Sequence, residues 1–226
     1  MNNTPTSIIK RPNVKVVIEG GRVVLRPISE KEINNRYVSW LNDPEINRFL
    51  EVSSKGIQSI KSVIDYVNER RSKGCDVFAI FTKKKHIHIG TLGLIKYNPQ
   101  IQDYASFGIM IGDRKAQMLG LGGEAYALMV EFLFSIPNIL RIQNIPAANN
   151  YKICRTLEIL GFKKDAILKE HITLASGKND AYLYGMNREE WVTNKVRVAN
   201  LLKGVKITEF IMDDDLFYLK ASILCI

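Results

Sequence analysis

The sequence is short of several things, and each shortage excludes something. Its 226 residues hold only three cysteines, Cys75, Cys154 and Cys225, an odd number at wide spacing. That rules out a disulfide framework and points to a reducing cytosol. No stretch approaches the eighteen or more apolar residues of a membrane-crossing helix, so no membrane partner is expected. The opening residues, MNNTPTSIIKRPNVK, lack the apolar core of a secretory leader, which makes a cytoplasmic location the expectation. Internal repeats and low-complexity linkers are missing too, and the length suits one large domain or a domain with an appendage. Acid is in deficit: 32 basic against 23 acidic side chains give a net charge of +9 and a pI near 9.4. Such a surface attracts polyanions, whether nucleic acid, anionic lipid or a phosphorylated small molecule, and composition does not choose among them.

What is present reads as ordinary globular protein, 46% apolar and 24% charged, with a mean hydropathy of −0.06. Residues 16–28 form two β-rich runs around Gly20-Gly21, a hairpin signal. Ser29 with Glu32 three residues on makes a capping box, so a helix is expected from there toward Trp40, broken by Asn42-Asp43-Pro44. Residues 59–71 carry Ile60, Val63, Ile64 and Val67 at the spacing of one helical face. Strand-like runs follow at 76–82, 86–97 and 104–111, and then Gly120-Leu-Gly122-Gly123 opens a long apolar helix over 124–134. A buried strand at 140–145, a helix over 151–160 stopped by Gly161, and strands at 166–174 and 181–186 complete the series. This order predicts a mixed, mostly antiparallel α/β (α+β) sheet flanked by helices. Residues 192–226 differ in texture, with a helix at 194–202 and strands at 205–212 and 217–226. They read as an appendage on the domain or on a second subunit.

Two elements carry the chemistry. Gln117-Met-Leu-Gly120-Leu-Gly122-Gly123 joins a strand to a helix, and backbone N–H groups at such a start make an anion site that side chains would block. It matches neither the Walker A spacing nor a first-strand dinucleotide fingerprint, and read alone it equally suits helix packing. Asn149-Asn150 then opens the helix that ends Leu157-Glu158-Ile-Leu160-Gly161-Phe162. Together these elements resemble the GNAT acetyltransferase superfamily, in its pyrophosphate loop (Q/R-x-x-G-x-G/A) and its asparagine-to-LGF helix. Leu25-Arg26-Pro27, Trp40 to Asn47, Ile89-Gly90, Gly108, Gly112-Asp113 and Glu124-Ala125 are similar to the branch holding ribosomal-protein N-terminal acetyltransferases and bacterial amino-sugar N-acetyltransferases. The resemblance spans residues 23–191, giving an expected division into an N-terminal extension or hairpin (1–21), the acetyltransferase domain (22–191) and the appendage (192–226).

The resemblance implies a sheet splayed at a cleft for acetyl-CoA between the strands at 104–111 and 140–145. It places the pyrophosphate over the N–H groups of Met118, Leu119, Gly120, Leu121, Gly122 and Gly123, with Gln117 in the same loop. The pantetheine arm pairs with the main chain of Met110 and Ile111, Asn150 bonds the arm near the thioester, and Lys152 or Arg155 meets the adenosine phosphates. The reaction implied is acetyl-CoA-dependent N-acetylation of a small-molecule amine by direct attack in a ternary complex. Leu157, Ile153 and Ser106 stand where relatives carry tyrosine, serine and glutamate, so the thiolate is expected to leave unaided. His171 is the candidate base, with Glu170 and Asp180 as alternatives. Trp40, Asn42, Asp43 and Asn47 lie in a segment similar to one in N-acetyltransferases of nucleotide-linked amino sugars, which makes them acceptor candidates. A ribosomal-protein-type N-terminal acetyltransferase and a silent acetyl-CoA-binding module stand as alternatives. No nucleic-acid partner is needed, and a homodimer is the assembly left open. His86 and His88 share a predicted strand face without a third ligand, so no metal is expected.

Overall fold

The computed structural model describes residues 13–96, 103–213 and 216–224. Tyr97, Cys225 and Ile226, all inside expected strands, lie outside the described residues, as do residues 1–12. The hairpin strands are β1 (Asn13–Glu19) and β2 (Val23–Pro27), followed by helices α1 (Asn35–Asn42), α2 (Pro44–Asn47) and α3 (Ile60–Ser72). Strands β3 (Val77–Thr82), β4 (His88–Lys96) and β5 (Tyr104–Ile111) form the expected meander. Then come α4 (Arg114–Met118), α5 (Leu121–Ser135), β6 (Arg141–Asn144), α6 (Tyr151–Leu160), β7 (Lys163–Leu174) and β8 (Gly177–Asn187). Helix α7 (Arg188–Asn194), a 3₁₀ turn (Lys195–Leu201), β9 (Lys206–Asp213) and β10 (Leu216–Leu224) close the described chain.

Among the described residues ten strands join one sheet in the order β10-β9-β1-β2-β3-β4-β5-β6-β8-β7. Every pairing is antiparallel except β5 with β6. The mixed, mostly antiparallel architecture is the expected one. One face carries α5 and α6 over the main core, built on Leu25, Ile80, Leu92, Phe107, Ile142 and Leu157. The other face carries α1 and α3 over a second cluster of Val24, Ala79, Phe81, Tyr37, Trp40, Val63, Val67 and Met110. Helix α5 is buried all round from Glu124 to Phe134, as expected of a helix held between a sheet and the 3₁₀ turn. Its packing explains the hairpin glycines: a Cβ on Gly20 would lie 2.8 Å from both Glu124 Oε1 and Leu128 Cδ1.

Three expectations are corrected. The helix begins at Asn35, not at Ser29. The Glu32 carboxylate takes the Ser29 N–H at 2.9 Å, the Ser29 hydroxyl at 2.7 Å and Arg26 at 2.9 Å, which closes residues 29–32 as a turn. Asn34 supplies the cap instead, accepting from the Tyr37 N–H at 3.2 Å. His86 does not share a strand face with His88, because it sits in the β3–β4 turn with φ at 51°. The helix placed at 194–202 is a short α7, opened by an Asn187–Glu190 capping box, followed by the 3₁₀ turn. Of the two placements open to the tail, the structure shows the one on the domain: β9 pairs with β1, and Val198, Val205 and Ile207 enter the main core.

Candidate active site

Strand β5 and its neighbours make a fork. β6 accompanies β5 only from Tyr104 opposite Arg141 to Ser106 opposite Gln143, so the sheet opens beyond Ser106. In an antiparallel ladder the backbone groups of successive residues turn to opposite edges. The Gly112 N–H donates to the Ile89 carbonyl at 2.9 Å, and Gly90 lies opposite Ile111. Met110 and Gly108 therefore turn their backbone toward β4, while Phe107, Ile109 and Ile111 turn theirs to the open edge. A Cβ on Gly90 would lie 2.2 Å from the Met110 carbonyl oxygen, which fixes that carbonyl's direction. Met110 therefore offers no backbone group to the open edge, whereas Ile109, which sequence reasoning missed, turns its own there beside Ile111. The alternation of a strand was enough to find it, once the ladder's phase was known.

At the crotch of the fork stands Asn144, buried at the end of β6. Its amide oxygen accepts from the Tyr126 hydroxyl at 2.8 Å, and its nitrogen faces the Phe107 carbonyl. One side chain thereby satisfies the first open-edge backbone group past the β6 pairing and ties it to α5. A polar residue closing an otherwise buried strand was the available signal for it.

Beyond the open edge the chain forms the glycine loop. Gln117 does not reach outward: its Nε2 donates to the Ile111 carbonyl at 2.7 Å and folds the loop over the strand end. Met118 and Leu119 are exposed, and the Leu119 carbonyl is held back by the Arg22 guanidinium at 3.1 Å. Arg22 also pairs with Glu124 at 2.6 Å, and Glu124 accepts the Arg22 and Val23 backbone N–H groups at 2.7 and 3.3 Å. That clasp seats the start of α5 on the hairpin. Gly120, at φ 68°, caps the helix in the left-handed region where a side chain is strained. A Cβ on Gly120 or Gly123 would meet nothing within 4 Å, whereas one on Gly122 would touch Ile111 at 3.0 Å. Two of the three glycines therefore border open space rather than serving packing. The N–H groups of Leu121, Gly122 and Gly123 begin a fifteen-residue helix, whose positive end favours an anion there.

The third wall is α6. Asn150, six residues past the end of β6, occupies its N-cap position yet makes no capping bond, and no partner for its side-chain amide stands among the described residues. Lys152 and Arg155 lie on the exposed face, with Arg155 3.6 Å from Glu158. Burial pushes the Cys154 thiol up, in keeping with a small buried side chain. Leading into α6, the Ala148 N–H donates to the Asp180 carbonyl at 2.8 Å, and Asn149 reaches Asn179 at 3.4 Å. Opposite Asp180, β7 bulges by Lys169, Glu170 and His171, since Leu168 pairs with Ala181 and Ile172 with Asn179. Glu170 takes φ 47° in that bulge. The Asp180 carboxylate holds the bulge, accepting from Lys169 at 2.8 Å and from the Glu170 N–H at 3.0 Å. Those bonds, Lys169 first, keep its pKa below the usual carboxylate value. The structure thus brings Glu170, His171 and Asp180 together, one short segment from Asn150. Asp180 is committed to building the bulge, while Glu170 and His171 are exposed.

The Acetyltransferase (GNAT) domain model matches residues 22–163, more than half of the chain. This chain belongs to the GNAT acetyltransferase family. An N-acetyltransferase of Bacillus licheniformis, p20, is 22% identical over 172 residues, which are 75% of this chain and 95% of that protein. The spermidine N-acetyltransferase of Vibrio cholerae, solved with CoA and spermine, superposes with a TM-score of 0.66 at 19% identity, covering 75% of this chain and 98% of its own. The ribosomal-protein-S5-alanine acetyltransferase of Vibrio fischeri superposes at 0.59 and 19%, covering 77% and 98%.

In this acetyltransferase the acceptor candidates of the first helices are otherwise occupied. Trp40 is buried: a Cβ on Gly112 would lie 1.9 Å from its ring, and His88, Tyr37 and the Arg36 guanidinium surround it. The expectation that it stacks on a ligand is therefore corrected, because no ring face is left open. Asn42 exchanges two bonds with the Gln58 backbone at 2.7 and 2.9 Å, and Asn47 donates to the Leu41 carbonyl at 2.7 Å. Asp43 caps α2 through the Glu45 N–H and pairs with Arg114 at 3.1 Å. The Glu45 N–H, then Arg114, lowers its pKa. These four residues shape α1, α2 and the turn between them. Among the described residues no three His, Cys, Asp or Glu side chains are grouped to hold a metal, and no helix is long and apolar enough to cross a membrane.

Proposed function

We propose that this acetyltransferase carries the acetyl group of acetyl-CoA to the primary amine of a small molecule, a nucleotide-linked amino sugar, in a ternary complex in the cytoplasm. The observation that carries the reading is the fork of β5 and β6 lying between a glycine-opened helix start and an unspent Asn150 amide. The Leu121 and Gly122 N–H groups receive the pyrophosphate, beside the open space at Gly120 and Gly123, whose own N–H is given to the Gly120 carbonyl at 3.2 Å. Ile109 and the Ile111 N–H pair with the pantetheine arm at the open edge, as an added strand would. Asn150 fixes the arm near the thioester, and Lys152 and Arg155 stand toward the adenosine end.

The amine lone pair attacks the thioester carbonyl. The N–C bond forms, the C–S bond breaks, and the thiolate leaves with the electron pair. Holding amine and carbonyl in line supplies most of the acceleration. An open-edge N–H steadies the charge that grows on the carbonyl oxygen. The bulge at Lys169–His171 presents His171 and Glu170 as acceptors for the amine's surplus proton. The amino-sugar assignment is supported by the net charge of +9, which suits a phosphorylated acceptor as well as the CoA phosphates.

The test is thiol release from acetyl-CoA over a panel of nucleotide amino sugars, spermidine and amino-terminal peptides, with turnover expected on the sugars. Turnover on the peptide alone assigns the ribosomal-protein-type activity, and tight CoA binding without turnover assigns a silent module. Gly123→Glu, whose side chain starts in open space, is expected to fold normally and lose acetyl-CoA binding. Retained affinity refutes the cradle.

A further inference from the structure

Helix α4 breaks a local rule in its first turn. Its opening positions hold Arg114 and Lys115 and no acidic side chain, although cations are unfavourable at the positive end of a helix. The reason lies outside the helix. Arg114 reaches Asp43 at 3.1 Å, and Arg36 on α1 reaches Asp113, the cap of α4, at 2.9 Å. The α1–α2 segment thus offers a cation and then an anion, and the start of α4 answers with an anion and then a cation.

Both aspartates are used in the same way. Asp113 gives Oδ1 to the Ala116 N–H at 3.0 Å and Oδ2 to Arg36. Asp43 gives Oδ1 to the Glu45 N–H at 2.9 Å and Oδ2 to Arg114. Each carboxylate caps its own short helix with one oxygen and holds the opposing arginine with the other. Trp40 lies against Gly112 between the pairs, with the Arg36 guanidinium 5.0 Å from its ring centre, so packing sets the spacing of the two sides.

What the pairs hold is the first half of the glycine loop. Gln117 and Met118 end α4, and the Leu119 and Gly120 N–H groups donate back to the Lys115 and Gln117 carbonyls at 3.2 and 3.3 Å. The Arg22–Glu124 clasp anchors the other half at the start of α5. A loop fixed from both sides presents its N–H groups in one arrangement. Any other populated arrangement lowers the apparent affinity for an anion in proportion to the competent fraction lost.

We propose that Arg36, Asp43, Asp113 and Arg114 are positioning residues for acetyl-CoA, a double latch that keeps the glycine loop in its pyrophosphate-binding shape. The latch rests on the acetyl-CoA reading above. Its test turns on sign. Asp43→Asn and Asp113→Asn keep a capping oxygen and remove a negative charge from beside the loop. Charge alone would tighten an anionic cofactor, whereas the latch predicts weaker binding. The pairs are part-exposed, so the expected rise in the acetyl-CoA dissociation constant is about threefold for each variant and roughly tenfold for both together. The KM for acetyl-CoA is expected to follow, with kcat unchanged. Arg36→Gln combined with Asp113→Asn restores the wild-type net charge, and the latch predicts that the loss persists. Recovery of affinity in that double variant marks a field effect and overturns the latch. So does unchanged or tighter binding in either asparagine variant, a loss confined to kcat, or a lower melting temperature with affinity intact. All of these leave acetyl transfer standing. Wild-type protein that fails to bind acetyl-CoA in the same titration overturns the cofactor reading and the latch with it.

Discussion

His88 illustrates how a single side chain sets the behaviour of its neighbourhood. Its ring lies among Tyr37, Trp40 and Phe81 at centroid distances of 5.7, 5.2 and 5.4 Å, with Nε2 2.9 Å from the Gly90 carbonyl. Burial lowers its pKa, outweighing the Gly90 carbonyl and Glu32, and Arg36 and Arg26 push the same way as burial. The folded protein thus binds this proton less readily than the unfolded chain. The stability it contributes is complete above the unfolded value of about 6.5 and drains away as pH falls toward the lower folded value. Melting temperature is expected to decline between pH 7 and 5, and His88→Gln to flatten that decline; an equal slope in the variant contradicts the assignment. Gly112 supports the same cluster from beneath. Gly112→Ala drives a methyl into the Trp40 ring, and overpacking of this kind costs about 1–3 kcal/mol, readable as a lower urea midpoint. The same packing explains why Trp40 looked like a ligand platform in the sequence: an aromatic residue beside an Asn-Asp-Pro turn reads alike whether its ring faces solvent or a glycine from another strand.

At the scale of elements, legibility followed local signals. Helix α6 was readable to its ends because both are marked, by Asn150 and by Gly161 with φ at 97°. The start of α1 was not, because the Ser29–Glu32 box closes a turn, which Arg26 at the end of β2 also grips, instead of opening a helix. Five-residue α4 has too little periodicity to see and stands on the Asp113 cap. The fork was foreseen through resemblance, whereas the phase of β5, which turns Ile109 rather than Met110 to the open edge, depends on which neighbour its backbone meets. The Arg22–Glu124 clasp joins positions about a hundred residues apart and left no local trace, yet it seats the glycine loop. Glu124→Ala leaves the Arg22 and Val23 N–H groups without their acceptor, an expected cost of about 1–3 kcal/mol. It is also expected to raise the KM for acetyl-CoA, whereas Glu124→Gln, keeping an acceptor oxygen, should lose less of both. Chemical denaturation and cofactor titration on the two variants check this order.

The tail matters to the molecule as a whole. Texture alone set residues 192–226 apart, since amphipathic strands at a sheet's end carry no chemistry. In the fold, β9 runs along β1 from Asn13 opposite Met212 to Glu19 opposite Lys206, while Val205 and Ile207 are buried beneath the end of α5's layer. The hairpin that receives the Arg22–Glu124 clasp is therefore itself backed by the tail. A chain stopped after Leu202 loses two buried aliphatic side chains, about 1.5–3 kcal/mol each. For a protein of this size that is a drop of roughly 6–24 °C in melting temperature. It also bares the full edge of β1, and an unpaired edge recruits other strands. The truncated acetyltransferase is accordingly expected to melt early and to elute as higher oligomers in gel filtration. It should also bind acetyl-CoA more weakly, because the loop's anchor has loosened. An early-melting variant with full acetyl-CoA affinity uncouples the tail from the loop. An unshifted melt with β1 unpaired is incompatible with β9 as part of this sheet.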